Sequence, residues 1–171
     1  MTAGLPIQID PLDLAKQQIH LQGAYPVNEM PRLAGIALPG SGKASIDLDF
    51  RLDSDKRVAI LSGSIIADLN IRCERCLQPF RLTLELSPNI YLRDTRGQEI
   101  AVTEDEERDL VDFNGPVVLR DLVEEEIILN LPMMPMHDRE QCSASRYMEN
   151  TDLSEKKADN PFAQLANLKK K

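Results

Sequence analysis

The sequence predicts an α+β fold: a curved antiparallel sheet packed against one main helix, with a C-terminal extension. Three observations carry this expectation. In SIDLDFRL, Ile46, Leu48, Phe50 and Leu52 alternate with Ser45, Asp47, Asp49 and Arg51, the period of a strand with one buried and one wet face. The runs RVAILSGSIIADLNIR and FRLTLEL keep the same period, the second placing Phe80, Leu82, Leu84 and Leu86 on one side. PVVLRDLVEEEIILNLPMMP is the one clear helical stretch. The pattern is compatible with an open sheet and with a barrel-like one.

The remaining elements follow in order. LPIQID reads as a short strand, PLDLAKQQI as a short helix or turn and HLQGAYPV as a strand. NEMPRLAG is a loop or single helical turn, and ALPGSGKAS has the Pro, Gly and Ser content of a linker. DSDK is a turn, and Ser62-Gly63 marks a bulge or bend in the strand that follows. Pro116 suits the first turn of the helix, and Pro132 and Pro135 end it. Residues 1–142 form the core domain on this reading, and 143–171 a polar, mobile tail.

Composition bounds the rest. The chain has 171 residues, 42% hydrophobic but only 4% aromatic with no Trp, so its core must be mainly aliphatic. No run approaches the roughly 18 apolar residues of a membrane span. MTAGLPIQIDPLDL lacks the features of a secretory signal. A reducing cytoplasmic setting is expected, in which a stable disulfide is rare.

CERCLQP therefore needs another explanation. Cys73 and Cys76 sit between two alternating strands, at a hairpin tip, and Pro79 blocks a helix after them. That argues against a thioredoxin-like arrangement, where CxxC opens a helix. A hairpin turn is instead the setting of a zinc knuckle. Zinc takes four ligands in a structural site, and the other candidates are His137 and Cys142 in MHDREQC. These two short pieces hold every cysteine of the chain and one of its two histidines. The competing readings are ordinary turn thiols, or a metal-handling or thiol-redox protein.

Within the helix, Val118, Leu119, Leu122, Val123 and Leu129 define an apolar arc with Glu126 at its middle, while Glu124 and Glu125 project outward. A buried Glu126 would need a partner, most simply backbone N–H groups at an element end. No P-loop, GxSxG, HExxH or Rossmann glycine pattern occurs, so no enzyme activity is expected.

The formal charge is −8, and the segment Glu104–Glu126, with ten acids against Arg108 and Arg120, accounts for all of it. Such a block suits a basic protein partner better than a nucleic acid. Arg72, Arg75 and Arg81 offer a small basic patch for RNA around the hairpin tip. The tail closes with NPFAQLANLKKK, in which Asn160 and Pro161 can open a helix. Phe162, Leu165 and Leu168 share a face of that helix, and Lys169, Lys170 and Lys171 suit its end, as in a docking peptide.

CERCLQPF, DLVEEEIILNLPMMPMHD and the terminal NPFAQLANLKKK together resemble the bacterial YceD family, the large ribosomal RNA subunit accumulation proteins. The resemblance implies a non-enzymatic cytoplasmic factor for synthesis, processing or stability of 23S ribosomal RNA. It would act by binding RNA or a basic ribosomal or assembly protein. It brings no catalytic residues. Some relatives look richer in cysteine after the LPxxP element than HDREQCSASRYM is here.

Overall fold

The computed structural model describes residues 5–54, 57–97 and 110–144. Its main sheet is built from β2 (His20–Pro26), β3 (Lys43–Leu52), β4 (Val58–Arg72), β5 (Pro79–Leu86), β6 (Asn89–Asp94) and β7 (Leu110–Phe113). The order is β2-β3-β4-β6-β7, with β5 also paired to β4. The sheet is curved but not closed. All its pairs are antiparallel except β6 with β7, which is parallel.

The alternation read from the sequence sets the faces. Ile46, Leu48 and Phe50 of β3 and Leu61, Ile65, Leu69 and Ile71 of β4 point inward and are buried. The core is aliphatic, with Phe50 as its largest fully buried side chain. Strand β4 serves two partners on one edge: residues 65–72 pair with β5, and 58–62 with β6. Gly63 lies between them with φ +147°, and a Cβ there would meet the Asp47 carbonyl oxygen at 2.1 Å. The register against β3 runs through Gly63 without a bulge, and what changes there is the partner on the opposite edge.

The helices α1 (Pro11–Lys16) and α3 (Leu119–Leu129) contribute to the core over the inner face, as does Leu33 of a shorter helix. Asp10 caps α1 by accepting from the Leu12 N–H at 3.1 Å. The predicted first turn at Pro116 is instead the two-residue strand β8 (Val117–Val118), which pairs with β1 (Gln8–Ile9). Helix α3 begins only at Leu119, after the extended Val118.

Glu126 is not the buried acid of α3. It is half-buried, and its carboxylate accepts from the Asn130 amide at 3.2 Å. Glu124 is the buried one, 2% exposed. Leu119, Val123 and Ile127 define the inward face, whereas Leu129 is 73% exposed and Val118 lies outside the helix. Counting Val118 and Leu129 turned the inferred arc by about a quarter turn. The flank holding Glu124 is covered by the short helix α2 (Pro31–Ala34). Its cap residue, Met30, offers no side-chain hydrogen bond. Glu124 Oε1 supplies one from afar, accepting from the N–H groups of Arg32 at 2.7 Å and Leu33 at 2.9 Å. A buried carboxylate bonded to backbone N–H groups is what the sequence suggested, but at the wrong glutamate.

Candidate metal centre

The hairpin between β4 and β5 closes tightly. The Cys73 N–H donates to the Gln78 carbonyl at 2.9 Å, and the Leu77 N–H to the Cys73 carbonyl at 2.8 Å. Leu77 takes φ +62°, a left-handed conformation that a branched side chain rarely adopts. The turn thereby aims both cysteine side chains to one side.

The second half of the site comes from beyond α3. After Leu129 the prolines Pro132 and Pro135 keep the chain out of helix. The Glu74 N–H donates to the Pro135 carbonyl at 2.8 Å, which lays this segment against the hairpin tip. One helical turn, Arg139–Gln141, then brings Cys142 back.

Cys73, Cys76, His137 and Cys142 converge, each offering one donor atom, and these atoms all lie within 4.8 Å of one another. Cys76 Sγ lies 3.4 Å from His137 Nδ1. Four ligands around zinc at about 2.3 Å for sulfur stand about 3.8 Å apart at tetrahedral angles, so a small contraction would complete the shell. Cys73 and Cys142 are buried, Cys76 and His137 half-buried. All three cysteines are free thiols. The Phe80 ring packs on His137 with centroids 4.8 Å apart, fixing the plane of the imidazole.

The local electrostatics favour anionic sulfur at Cys73 and Cys142. Burial pushes the Cys73 thiol up. Hydrogen bonds from the Cys76, His137 and Arg75 backbones and from the His137 side chain outweigh this, lowering it to about 6. Burial likewise opposes the Cys142 thiolate, and the Ala144 backbone and the Cys76 side chain overcome it, so this thiol is also lowered. The Gln78 backbone favours the Cys76 thiolate, but burial and the neighbouring Cys142 and Cys73 sulfurs raise this thiol above its ordinary value. The hydrogen bond to Cys73 raises His137 against the opposing effect of burial. Sulfurs that repel one another's charge and attract a protonated imidazole form a well for a cation.

The other predicted contact residues are placed less uniformly. Arg72 and Arg81 are exposed on the outer face of the hairpin, with Arg72 opposite Pro79 and Arg81 opposite Asn70 in the register. Arg75 is half-buried at the turn, its guanidinium 3.5 Å from the Met136 sulfur. Phe162, Leu165, Leu168, Lys169, Lys170 and Lys171 lie outside the described residues. Sequence reasoning missed Glu124, whose partners are 91 and 92 positions away, and the strain at Leu77, where neither Gly nor Asn announces a left-handed residue.

The family model described as "Large ribosomal RNA subunit accumulation protein YceD" matches residues 61–169, a span that contains all four clustered residues. The chain belongs to the YceD family. A family protein of Haemophilus influenzae, named large ribosomal RNA subunit accumulation protein YceD, is 33% identical over 172 residues. That alignment covers 98% of this chain and 97% of the relative. No solved structure matches the chain.

Proposed function

We propose that this chain supports accumulation of large-subunit ribosomal RNA, and that it does so by binding rather than by catalysis. The observation that carries the role is the end-to-end likeness to a relative named for it. The setting is the cytoplasm. No described helix is long and apolar enough to cross a membrane.

The contact surface of this reading is the hairpin tip and its surroundings. Arg72 and Arg81 are exposed there, beside Leu77, which is 61% exposed. Met133, Met134 and Met136, in the segment laid against the tip, are exposed too. Exposed Met with Arg suits a protein partner. A patch of so few cations neutralises few phosphates, and RNA affinity depends on that neutralisation. The first contact on this reading is a ribosomal or assembly protein, and the RNA is affected through it. The cofactor is a zinc ion on Cys73, Cys76, His137 and Cys142, held for structure.

The test is the ratio of large- to small-subunit ribosomal RNA in cells lacking the chain. It should fall, and be restored by the intact gene but not by an Arg72→Glu/Arg81→Glu double variant. An unchanged ratio in the deletion overturns the role. Binding of large-subunit RNA fragments by the purified chain, with a steep loss on adding salt, would make RNA the first contact instead.

A further inference from the structure

Resting on the zinc reading above, we infer that the ion is a local staple. It fastens residues 135–142 to the tip of the β4–β5 hairpin, and its loss frees that corner while the sheet stays folded. Three thiolates and an imidazole form a soft donor set, which suits zinc and not magnesium or calcium. Four protein donors fill a tetrahedral shell and leave no open position for water or substrate. The ion on this geometry therefore holds chain to chain.

The two segments it joins differ in how they are otherwise held. Cys73 and Cys76 stand on a turn rooted in paired strands, directly above the Arg72–Pro79 pair. The other segment has little anchorage of its own. From Pro132 to Ala144 the sole buried side chain is Cys142, itself a member of the cluster. Met133 is 100% exposed and Met134 63%. The backbone bond from Glu74 to Pro135 and the packing of His137 on Phe80 tie this stretch to the hairpin, and neither buries an apolar core. The core proper, around Phe50, Leu69 and Ile71, uses no residue beyond Leu131. A stretch with few buried apolar contacts opens at low free energy unless something else pins it.

The staple also shapes a surface. A cavity of about 310 Å³ beside the knuckle is lined by Ile36, Ile71, Ile128 and Leu131 of the body, by Arg72 and Glu74 of the hairpin, and by Met133 and Pro135 of the segment. Freeing residues 135–142 loosens the Pro135 edge of that cavity.

The experiment uses the full chain purified without chelator. Metal content is measured by elemental analysis, and a trypsin time course is followed by mass spectrometry before and after chelation. About one zinc per chain is expected. Chelation should speed cleavage after the exposed Arg139 by at least about tenfold, reversibly with zinc and not with magnesium. Cleavage after Arg51 in β3 and the circular dichroism spectrum should stay as they were. Cys142→Ser and, independently, Cys76→Ser should reproduce the chelated pattern. Zinc-loaded chain whose Arg139 cleavage ignores chelation refutes the staple and leaves the zinc site standing. Acceleration at Arg51 as well refutes it in the other direction, because the ion would then hold the whole fold. A chain that takes up no zinc, even when supplied, overturns the zinc reading and the staple together.

Discussion

Glu124→Ala removes the acceptor shared by the Arg32 and Leu33 N–H groups. Both bonds are short, 2.7 and 2.9 Å, and the carboxylate is 2% exposed. A hydrogen bond to a charged group contributes about 1.5–3 kcal/mol, and an orphaned buried donor costs about 1–3 kcal/mol. The Leu33 N–H is buried and the Arg32 N–H partly so, so only the second can turn to water. A loss of about 3–4 kcal/mol is expected. With a urea slope of about 2 kcal/mol/M, that moves the unfolding midpoint down by about 1.5–2 M. Glu124→Gln keeps an oxygen in place and should lose about half as much. Glu126→Ala, at a half-buried residue whose carboxylate accepts from the exposed Asn130 amide, should stay within about 0.5 kcal/mol. Urea unfolding followed by circular dichroism measures all three. If Glu124→Ala is as mild as Glu126→Ala, Glu124 does not cap α2 and the phase assigned to α3 is wrong.

Gly63→Ala forces a methyl onto the Asp47 carbonyl and should cost about 3–5 kcal/mol. Gly97→Ala, with φ +77° and open space around it, should cost about 1 kcal/mol from backbone strain alone; equal losses in urea would contradict the close contact. Leu77→Gly relieves a left-handed leucine and should stabilise by about 1 kcal/mol if the turn keeps its shape, read as a rise in melting temperature. Metal affinity should rise with pH. Around neutral pH the raised Cys76 thiol and the raised His137 imidazole must release their protons to bind, giving at least about tenfold tighter binding per pH unit. Below about 6 Cys73 is protonated as well, so the dependence steepens. Competition against a chromophoric chelator across pH checks this, and a flat profile would show that the thiols are not ligands.

The strands were legible because their signal is local. Alternation in 45–52 and 80–86 needs only neighbours along the chain to show which side is wet. The hairpin position of Cys73 and Cys76 followed from the strands on either side, and the short inventory of sulfur and imidazole pointed to His137 and Cys142. The sequence by itself thus determined an aliphatic sheet with one main helix, and named four candidate ligands without being able to bring them together. Tertiary structure decided their convergence, because Cys76 and His137 are 61 positions apart and meet only where the Glu74–Pro135 bond lays one segment on the other. It also chose the buried glutamate. The periodicity of α3 centred the arc on Glu126 and left Glu124 outward, and the burial of Glu124 rests on α2, which covers that flank and presents two uncapped N–H groups there. The parallel pairing of β6 with β7 and the change of partner at Gly63 have the same origin. Each depends on what lies across the sheet rather than on what comes next in the chain.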